Sequence, residues 1–200
     1  ALSGGVDSAG AALLLQQEGY AVSGVTLQLH HGNDLPDGSG LSEEAAAARK
    51  TADAIGIGHT VLDLCALFRA TVMDRFAAEY RAGRTPNPCI DCNRCLKFGL
   101  FLDRALEMGY DYIATGHYAR TENGGLYKAH SGNDQSYLLC RIKRSQVERL
   151  LLPLGEFEKA QVRAMAQDFG IPVANKPDSM EICFIPDDDH GKFIEDRGAK

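Results

Sequence analysis

The chain has 200 residues, 44% hydrophobic and 24% charged, the composition of an ordinary globular domain with one buried core. Its 21 Lys and Arg against 27 Asp and Glu give a formal net charge of −6, which argues against a uniformly basic nucleic-acid surface. No apolar run reaches the length of a membrane span and no basic-then-apolar leader opens the chain, so a cytoplasmic protein with no membrane partner is expected.

A glycine loop, Ser3 to Ser8, leads into an Ala- and Leu-rich helix that should end near Gly19. Such a loop follows a buried strand; only Ala1 and Leu2 stand for one, so residues are expected upstream. Ala21 to Leu29 reads as a buried strand, and the Gly-, Asp- and Pro-rich stretch from His30 to Gly40 as loop. Ser42 has the character of an N-cap, with Glu43 and Glu44 in the first turn, where the helix dipole favours carboxylates. That helix should close near Gly56, and Thr60 to Leu64 reads as the next strand. Leu67 to Arg81 has helical spacing, and two prolines keep Arg84 to Pro88 out of a helix interior. Asn93 to Met108 reads as helix and Tyr110 to Thr115 as strand. Asn123-Gly124 between Tyr118 and Tyr127 is a hairpin signal, Glu158 to Phe169 a helix, and Glu181 to Ile185 a short strand.

This alternation predicts an α/β fold, a parallel sheet with helices on both faces and a small hairpin insertion. Ligands of such folds bind at the carboxyl ends of the strands, so the loops after Leu2, Leu29, Leu64 and Thr115 should share one crevice.

Ser3-Gly4-Gly5-Val6-Asp7-Ser8 carries the sharpest chemistry. Adjacent glycines let backbone N–H groups approach an anion, with a helix N-terminus behind them. Ser3 and Ser8 add hydroxyls, and Asp7 suits Mg²⁺ held beside phosphates. No Lys follows the glycines, so this is not the GxxxxGK[ST] loop. It resembles the SGGxDS loop of PP-loop ATP pyrophosphatases, Rossmann-like domains of the adenine nucleotide alpha hydrolase type that split ATP into AMP and pyrophosphate.

Six cysteines are present, and Cys89, Cys92 and Cys95 fall within seven residues. Without a leader, such a cluster points to catalysis or metal binding rather than structural disulfides. Thr85-Pro86-Asn87-Pro88-Cys89-Ile90-Asp91-Cys92-Asn93 resembles the TPNPCxxCN segment of tRNA-specific 2-thiouridylases. Lys97-Phe98-Gly99, Ala114 to Arg120 (ATGHYAR), Asp134 to Leu139 (DQSYLL) and Ser179 to Ile185 resemble further segments of that family, in the same order. The resemblance covers the PP-loop catalytic domain over residues 1–200. The family's linking domain and C-terminal β-barrel have no counterpart in this chain.

The resemblance implies ATP-dependent conversion of tRNA uridine 34 to 2-thiouridine, with AMP and pyrophosphate as products. Cys92 would be the nucleophile and Cys183 the persulfide carrier. ATP would meet Ala1, Leu2, Ser3, Gly4, Gly5, Val6, Asp7, Ser8, Leu27 and Gly116, with His117 beside them. Asn87, Pro88 and Cys89 would meet the target base, and Asn133, Asp134 and Gln135 the tRNA; the family usually carries Lys where Asn133 stands. A cysteine desulfurase or a sulfur-relay protein would supply the sulfur.

Replacing a carbonyl oxygen by sulfur needs an activated oxygen and a sulfur nucleophile, and thiol–disulfide exchange frees sulfur from a persulfide. Both thiols should benefit from a lowered pKa, which the helix expected just after Cys92 would provide. A [4Fe-4S] cluster on Cys89, Cys92 and Cys183 is the alternative, and it would replace the persulfide roles. Cys65 and Cys140 have apolar neighbours and no motif. Arg141, Lys143, Arg144 and Arg149 read as a solvated helix face or as compensation for the missing Lys at Asn133. A small-molecule acceptor, or a non-catalytic nucleotide- or cluster-binding fragment, are the other readings.

Overall fold

Short β-branched runs alternating with Ala- and Leu-rich stretches set the architecture of the computed structural model, which describes residues 1–30, 42–174, 182–185 and 189–197. Helix α1 spans Val6–Gln17 and strand β1 Gly24–Gln28. Helix α2, Glu43–Ile55, starts as expected: the Ser42 hydroxyl accepts from the Ala45 N–H at 3.2 Å, and Gly56 ends it in the left-handed region at φ 79°. Strand β2 is His59–Asp63.

Helix α3 runs through Cys65–Phe68, a π-helical stretch Arg69–Met73 and Asp74–Arg81. Helix α4 runs through Pro88–Cys92, a π-helical stretch Asn93–Phe101 and Leu102–Glu107. Strands β3 (Ile113–Ala114), β4 (Ala119–Glu122), β5 (Gly125–Lys128) and β6 (Leu150–Leu151) follow, with the short helix α5 (Arg144–Val147) before β6. Helices α6 (Lys159–Asp168) and α7 (His190–Asp196) complete the described elements.

Strands β1 and β2 pair in parallel, as do β3 and β6. Residues 1 and 2 join the two pairs: Leu2 N–H donates to Val25 O at 2.8 Å, and the Ala1 nitrogen to Ala114 O at 2.6 Å. The layer therefore runs β2, β1, residues 1–2, β3, β6. Its strands are short. Of the expected Tyr110–Thr115 strand, Ile113 and Ala114 pair with Leu150 and Leu151, and Thr115 N–H donates to Leu151 O at 3.3 Å. β4 and β5 form the expected hairpin, with Asn123 (φ 50°) and Gly124 (φ 71°) both left-handed as a two-residue type I′ turn requires.

Alternation along the strands sends side chains to two cores. Ala1, Val25, Leu27, Leu62 and Ile113 pack with Phe98, Phe101, Leu102 and Ala105 of α4. Leu2 faces the other way, onto Ala12 of α1 and Ala48 and Ala52 of α2. Leu2 is 4% exposed, and burying such a side chain contributes about 1.5–3 kcal/mol. Small residues on α1 and α2 let those helices lie close to the layer.

The expected strand over Glu181–Ile185 is not formed at residues 182–185, where Cys183 and Phe184 lie in a turn; Glu181 is outside the described residues. The segment is fixed by an aromatic anchor instead of a ladder, as described below. The loop expected from His30 to Gly40 lies outside the described residues apart from His30.

Candidate active site

The glycine loop is set at the end of the short central segment. Gly4 has φ 71°, and a Cβ there would stand 2.5 Å from Glu44 O, so glycine is required both by conformation and by the approach of α2. Gly5 caps α1. Ser8 Oγ accepts from Ser3 N–H at 3.1 Å and donates to Gly5 O at 2.9 Å, which closes the loop on itself. Val6 and Ser8 are buried.

Gly116 follows β3 and lies against this loop: a Cβ would sit 2.7 Å from Asp7 C and 2.8 Å from Ser8 N. The loops after Leu2 and after Thr115 thus meet. The loops after β1 and β2 also meet, through Leu64 N–H to Gln28 O at 2.8 Å and Cys65 Sγ to Gln28 O at 3.5 Å. Leu27 is half-buried and packs with the α4 core.

Asp7 is already engaged at both oxygens. Tyr118 OH donates to Oδ1 at 2.8 Å, and Lys159 Nζ contacts Oδ2 at 2.5 Å. Asp7 keeps a second acceptor lone pair on each oxygen beyond these bonds. Its observed role is to tie α6 to the loop. Lys159 and Tyr118 were not foreseen, since 152 and 111 residues separate them from Asp7. Lys159 places at the loop the cation that its sequence lacks.

His117, one residue further, is buried. Its Nδ1 lies 2.8 Å from Thr115 Oγ1, and its ring is 5.9 Å from that of Phe98. Burial, aided by the charge of Lys97, holds its pKa well below the usual value, so the imidazole is neutral at physiological pH.

The cysteines occupy the N-terminal part of α4. This helix begins at Pro88, not at Asn93: Asn87 Oδ1 accepts from Cys89 N–H at 3.0 Å, and Pro88 suits a first helical position. Cys92 therefore lies beyond the first turn, where the dipole is weak, and not ahead of the helix as expected. It is 7% exposed and packs with Phe68, Val72 and Leu96. Burial pushes its thiol up, the neighbouring Cys89 and Cys95 act in the same direction, and Lys97 opposes them. The lowered pKa expected for Cys92 is thus reversed, because desolvation outweighs the nearby cation.

Phe184 belongs to the same apolar cluster as Cys92, with Leu29 from the end of β1. Its ring lies 5.5 Å from Phe68, 5.5 Å from Phe76 and 5.1 Å from Phe193. This anchor brings Cys183 to the cysteine helix. Cys183 is exposed at its surface, yet enough protein surrounds the thiol to push it up, to about 12, with Cys92 and Cys89 adding to the effect. An exposed thiol keeps part of its hydration, so the upward direction is what matters for its chemistry. Lys97 acts on Cys92, Cys183 and His117 alike, its charge favouring the thiolates and the neutral imidazole.

No disulfide links any of the six cysteines. Among the described residues no three His, Cys, Asp or Glu side chains are spaced to hold a metal ion, so Cys89, Cys92 and Cys183 as they lie do not form a cluster's ligand set. Asn87 and Cys89 are exposed and Pro88 is buried. Asn133 is exposed. Asp134 and Gln135 are used internally. The Asp134 carboxylate accepts from Ala129 N–H at 2.9 Å and from the Ser136 hydroxyl at 2.9 Å. Burial raises its pKa, but those bonds and the Lys128 charge outweigh it and hold the carboxyl below its usual range. Gln135 exchanges hydrogen bonds with the Tyr118 backbone, at 2.7 and 3.1 Å.

The profile of one family, described as the tRNA methyl transferase HUP domain, matches residues 1–187. Proteins named tRNA-specific 2-thiouridylase MnmA are similar over nearly the whole chain. That of Pelotomaculum thermopropionicum is 44% identical over 211 residues, covering 100% of this chain and 58% of the relative. That of Treponema denticola is 46% identical, covering 96% of this chain and 55% of the relative. That of Lachnoclostridium phytofermentans is 46% identical, covering 98% and 58%. The chain thus spans somewhat more than half the length of these relatives. No helix among the described residues is long and apolar enough to cross a membrane.

Proposed function

The chain belongs to the family of the tRNA methyl transferase HUP domain, and from that membership we propose that it is the ATP-binding catalytic part of a tRNA uridine 2-sulfurtransferase. The observation that carries this reading is the meeting of the Cys183 segment, docked through Phe184, with buried Cys92 beside the carboxyl ends of the strands where the glycine loop lies. The relatives' names describe thiolation, which two neighbouring thiols can serve by sulfur exchange.

The glycine loop and the N-terminus of α1 take the ATP phosphates, with Lys159 as the adjacent cation. Leu27 and Gly116 flank the nucleotide, and neutral His117 offers it a hydrogen-bonding group. The uridine C2 oxygen attacks the α-phosphorus and releases pyrophosphate, leaving an O-adenylated base. Cys183 carries a persulfide delivered by a cysteine desulfurase or a relay protein. The Cys92 thiolate attacks the inner sulfur, forms the Cys92–Cys183 disulfide and expels hydrosulfide. Hydrosulfide adds at C2, AMP leaves, and an external dithiol reduces the disulfide. Because burial raises both thiols, Lys97 is the group that offsets the cost of the thiolate.

The test is AMP formation and 2-thiouridine yield with unmodified tRNA, ATP and a persulfide donor. Cys92→Ala and Cys183→Ala are expected to abolish 2-thiouridine while leaving pyrophosphate release intact. AMP formation that ignores tRNA would move the acceptor to another molecule. Near-stoichiometric iron and acid-labile sulfide in anaerobically purified protein, lost in both variants, would replace the persulfide route with a cluster on Cys89, Cys92 and Cys183.

A further inference from the structure

Asp91 precedes Cys92 and is itself buried, its side chain only 11% exposed. Three guanidinium groups from three parts of the chain converge on it. Arg75 of α3 lies 3.0 Å from Oδ2. Arg141, after the turn at Ser136–Leu139, lies 3.1 Å from Oδ1, and Arg94 of α4 lies 3.7 Å from the same oxygen. Three positive charges against one negative leave a surplus of two, in a chain whose overall balance is negative.

A carboxylate has about four lone-pair sites, while each guanidinium has about five N–H donors, so Asp91 engages only a few of them. The three side chains keep 44%, 44% and 37% of their surface exposed for Arg75, Arg141 and Arg94. Asp91 thus orders three guanidinium groups that each keep part of their surface open to solvent, although Arg94 Nε is itself buried. That geometry suits the paired oxygens of a phosphate, and guanidinium is the side chain most weakly hydrated for that task.

The place decides which phosphate. The glycine loop touches Glu44, Gly116, Tyr118 and Lys159, none of which belongs to this cluster. The cluster instead borders exposed Cys89 and its neighbour Cys92, where the acceptor base has to arrive. Asn93 Nδ2 donates to Leu138 O at 3.2 Å and fastens the Ser136–Leu139 turn to the same helix. That turn presents Tyr137, 57% exposed. Fixed cations beside an exposed aromatic ring form the pattern that binds single-stranded nucleic acid, through backbone and base face.

We propose that Arg75, Arg94 and Arg141, ordered by Asp91, form a clamp for RNA backbone phosphates next to the target nucleotide, with Tyr137 as a stacking platform for an adjacent base. The proposal rests on the tRNA reading above and names residues that reading did not include. It also gives Arg141 a role other than a solvated helix face, since it precedes α5 and is held on Asp91.

The experiment is binding of unmodified tRNA by fluorescence anisotropy across a salt series, with ATP affinity measured in parallel. The proteins are the full chain and its Arg75→Gln, Arg94→Gln, Arg141→Gln, Tyr137→Ala and Asp91→Asn variants. Each Arg variant should bind RNA about fivefold or more weakly, and flatten the slope of log K against log salt by about 0.7–0.9. Tyr137→Ala should weaken binding with the slope unchanged, and ATP affinity should hold throughout. Asp91→Asn removes the charge that gathers the three guanidinium groups, so RNA binding should weaken while ATP affinity holds. Wild-type RNA affinity and slope in all three Arg variants would overturn the clamp while leaving the tRNA reading intact. Losses confined to thermal stability, largest in Asp91→Asn, would reduce the cluster to a structural ion-pair group and overturn it equally. Failure of the wild-type chain to bind tRNA at all would overturn both readings.

Discussion

Replacing Phe184 by Ala tests the arrangement that unites the two thiols. The ring makes three aromatic contacts, with Phe68, Phe76 and Phe193. Such pairs contribute about 0.5–1.5 kcal/mol each beyond burial, and a half-buried ring recovers the lower part of that range, so about 2 kcal/mol holds the segment. At about 1.4 kcal/mol per tenfold, the docked population relative to the undocked falls about thirtyfold. Phe68 and Phe76 remain fully buried in the core, so the cost falls on the 182–185 segment and not on the global fold. The assay is mild oxidation by diamide, with the Cys92–Cys183 disulfide followed by mass spectrometry. Cross-linking should slow at least tenfold, ATP affinity should be unchanged, and Phe184→Leu should recover much of the rate. Wild-type cross-linking in Phe184→Ala would show that Cys183 does not depend on this anchor and refute the reasoning.

Gly116→Ala forces a Cβ to within 2.7–2.9 Å of Asp7 and Ser8 backbone atoms, which cannot swing aside. Overpacking of this kind costs about 1–3 kcal/mol, a melting-temperature drop of about 2–12 °C in a chain this size, and ATP binding should weaken with it. Gly58→Ala, where a Cβ meets nothing within 4 Å, should be neutral or slightly stabilising in the same melts. Alkylation of Cys92 and Cys183 by iodoacetamide should keep accelerating through pH 9, where a free small thiol levels off, because burial raises both; a plateau below pH 8.5 would contradict this. His117 is depressed below its ordinary 6.5, so the unfolded chain binds more protons than the folded one beneath that pH. Its contribution should be intact above pH 6.5 and decline as pH falls toward the folded value, by at most about 1.4 kcal/mol per pH unit. His117→Gln should flatten that part of a denaturant-midpoint profile measured from pH 7 to 5.

Features set within a few residues were legible in the sequence. The Ser42 cap, the Asn123-Gly124 turn and the helix behind Gly5 all depend on bonds between near neighbours. The glycine loop and the Cys92 motif belong to the same class, since their chemistry is written in contiguous residues. One local signal was misread: Asn87-Pro88 starts α4, and taking the start at Asn93 gave Cys92 a helix dipole it does not have. Other properties depend on groups distant in sequence, and only the tertiary structure decided them. Burial by Phe68 and Val72 of α3 is what raises the Cys92 thiol. Lys159 and Tyr118 occupy Asp7, and Phe184 brings the Cys183 segment to a helix some ninety residues earlier without forming a strand. The guanidinium group on Asp91 draws on α3, α4 and the turn before α5, so no window of sequence contains it. Charge, desolvation and ring packing act through space, and the fold alone sets which residues share that space.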